Sequence, residues 1–380
     1  MVAQNLRTPG PTPLPPAVRE ALSRDMVNHR GPEFAAILRE CIDGLKWAYQ
    51  VNEHDVVILT TSGTGGLESL VANTLSPGQR LLVASIGNFG ERMAQIARVF
   101  GAEVTQIDVQ PGQALEPQLL ADALRANPRI ETVFVTHNET STGVLNPLQA
   151  LAEAVHQVRA DALILVDGIS SVSSVPVEPE AWGCDVVVAG SQKGWMTPPG
   201  LAFVSISPRA WERQARSTMP KFYFDWRLAR RSAESGETPW TPAISLFYAL
   251  QAGLRLMREE GLERIFARHE RLARYTREGL ADLDVRLLAD PRFASPTVTT
   301  AWLPDGVNGK ALLTALDERD GVVLAGGQGN LSGKIFRVGH MGWVDQAELD
   351  AVLRALQVEL NSIRAPTARS FSPVSSPEAR

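Results

Sequence analysis

In the stretch VVVAGSQKGWMTPPG, Val186 to Gly200, an apolar run gives way to a Gly/Ser turn that carries Lys193. Burying an ammonium group is costly and lysine is among the side chains least often found inside, so this position admits two readings. Either the strand has ended and the amine reaches water, or the amine is needed in a closed site as a nucleophile and proton carrier. A second apolar run, ALILVDGISSV, closes on Asp167. Ligands of open α/β sheets bind beyond the carboxyl ends of the strands, which would turn this carboxylate toward a site; a helix cap is the alternative. A third segment, TTSGTGGLESL from Thr60 to Leu70, sets hydroxyls and glycines before a helix-like run. Such a turn offers free N–H groups and the positive end of a helix to an anion, although a turn that only caps the helix would read the same way.

The Walker A ending Gly-Lys-Ser/Thr is missing and the glycine spacing does not match the dinucleotide fingerprint, so nucleotide binding is not the natural reading. Lysine, carboxylate and anion cradle together match the needs of pyridoxal 5'-phosphate. The amine forms a Schiff base with the aldehyde, the carboxylate keeps the pyridine nitrogen protonated, and the cradle takes the phosphate. Burial and a neighbouring pyridinium both favour the neutral, nucleophilic amine. Two further residues fit. Phe89, in IGNFGERM, is expected in a loop between the second strand and a helix, where its face can stack on the ring; a core phenylalanine is the alternative. Arg337, in KIFRVGHMG, follows the glycine-rich AGGQGNLSG in a late strand, and its planar guanidinium suits a two-bond grip on an α-carboxylate better than a surface salt bridge.

The elements that must position these groups follow from the apolar pattern. From Asp55 to about Ser207 the runs VVIL, RLLVAS, EVTQID, TVFVTH, ALILVD, DVVVAGS and LAFVSIS alternate with helical patterns such as ERMAQIARVF and PQLLADALRA. Near-continuous Val/Ile/Leu runs separated by helices indicate a mainly parallel sheet covered on both faces. A helical stretch from Ala243 to about Leu283, with a break at Gly261, bridges to a smaller α/β unit made of VRLLA, TVTTAWL, KALLTALDERD, GVVLAGG, KIFRVG and QAELDAVLRALQVEL. The chain of 380 residues exceeds what one core usually serves. The expected division is an N-terminal arm over 1–20, a large cofactor-binding domain over 21–260, a small C-terminal domain over 261–362 and a disordered Ser/Pro/Arg-rich tail over 363–380.

Charge and cysteine usage narrow the function. A net charge of -5 and a pI near 5.8 lack the basic footprint of a nucleic-acid binder and disfavour adhesion to anionic lipid. The two cysteines, Cys41 and Cys184, have no metal-ligand or disulfide spacing, so no metal is expected. No apolar run reaches the about 18 residues of a membrane span, and the N-terminus lacks a signal peptide's apolar stretch. Small-molecule chemistry in the cytoplasm is the expectation.

The ordered set TPGPTPLP, TSGTGGLES, THNETSTGV, LVDGISS, GSQKGWMTPPG, TPWTPAISL and FRVGHMG resembles the class V aminotransferases, pyridoxal-phosphate enzymes of fold type I. Within them it is similar to the alanine–glyoxylate and serine–glyoxylate (serine–pyruvate) group, from Thr8 to about Leu360. The resemblance implies a seven-stranded, mainly parallel sheet in a large domain, a small C-terminal α/β domain, and a homodimer with its active sites at the interface. It implies that Lys193 is the Schiff-base lysine and Asp167 the partner of the pyridine nitrogen. Thr64, Gly65, Gly66 and Gln192 match phosphate contacts, with Ser191 close by. Gly66 stands where some relatives carry histidine, so its contact would come from backbone. Phe89 matches an aromatic ring-stacking position, Ile169 the opposite face, and Thr142 a hydroxyl near the phenolic oxygen. Arg337 and Gly10 match substrate contacts, and Thr241 falls near a phosphate contact sent from the other subunit. The implied reaction moves the amino group of alanine or serine to glyoxylate or pyruvate. A cysteine desulfurase or other lyase, a ureidoglycine–glyoxylate aminotransferase, and a non-catalytic hydrogenase-associated subunit remain alternatives. The motifs leave the donor open; Trp195, Tyr223 and Phe224 are candidates to shape its pocket.

Overall fold

A computed structural model describes residues 4–364; the expected tail lies, from residue 365 onward, outside the described residues. The seven apolar runs form strands β1 (Asp55–Thr60), β2 (Arg80–Ser85), β3 (Glu103–Asp108), β4 (Thr132–Thr136), β5 (Leu163–Asp167), β6 (Val186–Gly190) and β7 (Leu201–Ile206). They make one sheet in the order β1-β7-β6-β5-β4-β2-β3, in which only β7 runs antiparallel to its neighbours. Because β7 opposes both β1 and β6, the carboxyl ends of β1, β6, β5, β4 and β2 all lie along one edge. Alternate residues serve opposite cores: Val56 and Ile58 of β1 pack on one face, Val57 and Leu59 on the other. Both faces of the sheet are buried except at the edge strand β3, which is why the other strands read as near-continuous apolar runs while EVTQID is mixed. Helices α1 (Pro32–Tyr49), α2 (Gly63–Thr74) and α3 (Asn88–Val99) cover the sheet, α1 on the first face and α2 and α3 on the second.

The long helical stretch divides where expected, into α4 (Ile244–Glu260) and α5 (Leu262–Asp282), with Gly261 between them at φ 82°. Beyond it, β8 (Val298–Trp302), β9 (Ala325–Gly326) and β10 (Ile335–Gly339) form an antiparallel sheet in the order β8-β10-β9, backed by α6 (Gly309–Asp320) and α7 (Gln346–Arg364). Two expected strands of this layer come out differently. VRLLA makes a single bridge, Leu287 to Ala301, because the left-handed backbone of Asp284 and a 3₁₀ turn at Pro291–Phe293 bend the chain away on either side. GVVLAGG splits between two partners: Val322–Val323 pairs in parallel with Asn5–Leu6, and Ala325–Gly326 joins β10.

The pairing of Asn5–Leu6 decides the course of the amino-terminal segment. Arg7, 1% exposed, is tied to Glu348 at 3.2 Å, and its carbonyl accepts from Gly339 N at 2.7 Å. The chain then crosses to the large sheet, where Thr12 N donates to Gln192 O at 3.1 Å and Thr12 Oγ1 to Lys193 O at 3.0 Å. Pro9 and Gly10 are thereby held across the carboxyl edge of β6. Among the described residues no helix is long and apolar enough to cross a membrane.

Candidate active site

Lys193 lies three residues beyond β6, in a turn closed by Ser191, whose hydroxyl donates to Pro198 O at 2.6 Å and accepts from Leu201 N at 3.2 Å. The amine is buried and donates to Pro9 O. A Cβ at Gly10 would sit 2.6 Å from Nζ, and Gly10 holds φ +131°, so only glycine fits against this amine. Burial lowers the Lys193 pKa to about 8, Arg337 pushes it the same way, and Asp167 opposes them. A far larger fraction of this amine is neutral near pH 7 than of an ordinary lysine.

Asp167 is the last residue of β5, paired with Val188 of β6. Oδ1 accepts from Ile169 N at 2.9 Å; among the described residues Oδ2 has no hydrogen-bond partner. Burial raises its pKa to about 7; the Ile169 N–H lowers it, Glu139 raises it and Lys193 lowers it. A carboxyl group in this state is stabilised as the anion by a cationic N–H donor placed against it. The Ile169 side chain bridges Gly63 at the start of α2 and Gly190 at the end of β6.

The α2 amino terminus opens from the end of β1. Ser62 caps it, accepting from Gly65 N at 3.4 Å, while the N–H groups of Gly63 and Thr64 find no acceptor among the described residues. Gly66 differs from expectation. Its N–H is spent on Ser62 O at 3.1 Å and its Cα faces Val188 and Ala202 of the sheet, so it has nothing to offer an anion. Ser191 differs too, since its hydroxyl is engaged within the lysine turn. The Gln192 Oε1 is buried without a partner.

Phe89 is in the second position of α3, not in the preceding loop as expected; α3 begins already at Asn88. The ring is half-buried, with the Arg92 guanidinium 4.8 Å from its centroid and Arg92 Nη1 3.4 Å from Thr64 Oγ1. Thr142, 1% exposed, donates to Ile86 O at 3.3 Å. Arg337, on β10, donates from Nε to Gly326 O at 2.9 Å and from Nη1 to Thr140 O at 3.3 Å, which leaves Nη2 and one Nη1 hydrogen to form an end-on fork. Trp195 packs in the core against Tyr49 and Phe203, and so shapes no pocket. Phe224 instead reaches the α2 amino terminus, where its Cζ lies 3.1 Å from a Cβ built on Gly65, and the Tyr223 hydroxyl donates to Thr60 O at 3.2 Å. Thr241 is exposed, beside Tyr223 and Trp240.

Three neighbours escaped sequence reasoning: Glu139, Ser141 and Arg92. The spacing of Phe89 and Arg92, one helical turn apart, was a usable signal for the last. For Glu139 it was a carboxylate in THNETSTG among hydroxyls just past a buried strand.

The arrangement fits pyridoxal 5'-phosphate on its own terms: a buried amine whose pKa is lowered to about 8, a buried carboxylate with one open oxygen, and free N–H groups at a helix start. A mainly parallel seven-stranded sheet carrying these groups at its carboxyl edge defines a fold type I pyridoxal-phosphate enzyme. The model of the Aminotransferase class-V family matches residues 6–350, and the chain belongs to that family, whose members depend on this cofactor. It is 43% identical to a protein of Anabaena cylindrica named soluble hydrogenase 42 kDa subunit, over 93% of this chain and 92% of that one. It is 35% identical to the L-aspartate–glyoxylate aminotransferase of Paracoccus denitrificans, over 91% of this chain and 89% of that one. The solved structure of an alanine–glyoxylate aminotransferase from Nostoc sp. superposes with a TM-score of 0.91 at 32% identity, covering 95% of this chain and 96% of that one.

Proposed function

We propose that this aminotransferase moves the amino group of a small amino acid, alanine or serine, to a small 2-oxo acid, glyoxylate or pyruvate. The observation that carries the reading is the buried Lys193 amine, held by Pro9 O against Gly10 and within electrostatic reach of both Asp167 and Arg337. Two of the relatives above are named as glyoxylate aminotransferases, which supports the acceptor.

The cofactor, when bound, supplies an aldehyde that condenses with amines and a ring that withdraws electrons from the bonds at the amino acid's Cα. Lys193 would hold it, with Asp167 at the ring nitrogen and, at the phosphate, the free N–H groups of Gly63 and Thr64, the side-chain-free surface of Gly65 and the Gln192 amide N–H. Phe89 and Ile169 would flank the ring, and Thr142, by turning its hydroxyl away from Ile86, would reach the phenolic oxygen. Arg337 binds the substrate α-carboxylate through Nη1 and Nη2, and that pairing orients Cα toward Lys193. The Lys193 amine takes the Cα proton as general base and returns a proton as general acid, a role suited to its lowered pKa. The segment over Pro9–Gly10 limits access of water to this amine. The active unit is a homodimer in which Thr241, exposed in the single chain, faces the partner's phosphate site.

A desulfurase needs an accessible thiolate. Cys41 and Cys184 are both buried, and burial pushes both thiols well above their ordinary range, which disfavours that reading. The hydrogenase name of one relative supplies a second reading, a subunit without transaminase activity.

Absorbance titration of the purified holoprotein decides between them. Alanine or serine should convert the aldehyde band to the amine form in a single turnover, and glyoxylate should restore it. If neither alanine, serine nor aspartate changes the spectrum, the proposed reaction is wrong; if aspartate alone does, the donor class is wrong.

A further inference from the structure

Glu139 takes no part in the function proposed above, yet it is the most heavily hydrogen-bonded carboxylate beside the site. It is fully buried, in a short hairpin that pairs Asn138–Glu139 with Val144–Leu145 just past β4. Helix α3 starts next to it without a cap of its own. Its N-cap residue is Gly87, where a Cβ would lie 2.5 Å from Ser141 Oγ and 2.7 Å from Glu139 Cδ. The cap comes from the hairpin instead. Ser141 Oγ accepts from Asn88 N at 3.1 Å, and Glu139 Oε2 accepts from Phe89 N at 3.1 Å and Gly90 N at 3.3 Å. Glu139 Oε1 accepts from both the N–H and the hydroxyl of Ser141. Burial pushes the Glu139 pKa up, while the Ser141 hydroxyl and N–H and the Gly90 and Phe89 N–H groups pull it back towards the anion. A carboxylate accepting at the first turn of a helix is favourable, and here it is supplied across the fold by a residue that a local cap cannot replace.

The neighbours of Glu139 in the chain are site groups. Thr140 gives the carbonyl that accepts from Arg337 Nη1, and Thr142 reaches Ile86, which precedes the Gly87 cap position. One carboxylate therefore joins the backbone beneath the Phe89 ring, the carbonyl that orients the Arg337 guanidinium, and the turn that carries Thr142. Its charge also favours the ionised form of Arg337.

We propose that Glu139 is a positioning residue of the reaction: through the α3 amino terminus it fixes the Phe89 ring, and through the Thr140 carbonyl it fixes the Arg337 fork, in one mutual register. The proposal rests on the reading of Phe89 as the ring-stacking side chain and of Arg337 as the carboxylate clamp. Glutamine keeps the shape of Glu139 but has one acceptor oxygen, so it cannot satisfy α3 and Ser141 together.

The test is Glu139→Gln, measured for cofactor affinity of the apoprotein, for the visible circular dichroism of the bound cofactor, and for KM and kcat with alanine. We expect a folded protein still labelled at Lys193 by borohydride, with the cofactor dissociation constant raised about tenfold, as loss of one charge-assisted bond implies. Visible ellipticity per bound cofactor should fall, and KM should rise more than kcat drops. Because Glu139 acts through Phe89, the double variant with Phe89→Leu should lose no more cofactor affinity than the worse single variant. Ser141→Ala, which removes one link of the same cap, carries the test if Glu139→Gln does not fold. Unchanged affinity and ellipticity, or losses that add to those of Phe89→Leu, would overturn the proposal. A wild-type protein unlabelled at Lys193 would take down the site reading and this proposal together, so the two failures are distinguishable.

Discussion

Asp167 is buried, and its pKa is raised from 3.8 to about 7 chiefly by that burial. The folded chain holds this proton where the unfolded chain has lost it, so the contribution to stability is complete below the unfolded pKa and disappears as pH rises through about 7. Apoprotein should therefore lose stability between about pH 4 and about pH 7 from this group, on the order of a few kcal/mol. Asp167→Asn carries no charge to bury. Its apoprotein should be more stable than wild type in urea at about pH 8 and show little of that advantage at about pH 5. The same variant should bind the cofactor on the order of a hundredfold more weakly, because a buried pyridinium would lose its counter-ion. Equal destabilisation at both pH values, with cofactor affinity intact, would contradict the role given to this carboxylate.

The amino-terminal segment is the element on which the site most depends outside the large sheet. Its strand pairs with the C-terminal layer, and its next residues are bonded to the lysine turn, so Gly10 is carried to within contact of the Lys193 amine. Gly10→Ala places a methyl 2.6 Å from Nζ at a backbone conformation that disfavours any side chain, and either the segment or the amine must move. Cofactor formation at Lys193 and kcat with alanine should fall by about tenfold or more, while thermal stability changes far less. Unaltered turnover would show that the segment does not confine the amine. Six strands of the large sheet were legible because burial leaves a near-continuous apolar signal, the half-exposed edge strand β3 by its place in the strand–helix alternation, and Lys193, Asp167 and Arg337 stood out at strand ends or in a strand. Glu139 was not, since its importance comes from long-range contacts: it meets α3 across fifty residues of chain. Nor could the sequence show that the Gly66 N–H is bonded to Ser62 O and the Ser191 hydroxyl to Pro198 O and Leu201 N. A glycine or hydroxyl in a motif shows what could be donated, not that the helix or turn has already used it. The split of GVVLAGG depended on a partner, Asn5–Leu6, more than three hundred residues away.

At the scale of the whole molecule, one sheet edge gathers a lysine, a carboxylate and a helix amino terminus, and a second layer brings an arginine over them. The two are joined by the amino-terminal crossing, by the Arg337–Thr140 bond and by the α4–α5 helices. The exposed Tyr223 and Thr241 and the half-buried Trp240 lie together beside the end of β1. The most direct measurement is borohydride reduction of the full-length, cofactor-loaded protein followed by peptide mass mapping. The peptide containing Lys193 should carry the added mass of the reduced cofactor, and prior incubation with alanine should abolish the label. A cofactor-replete protein whose Lys193 peptide stays unmodified would contradict the account.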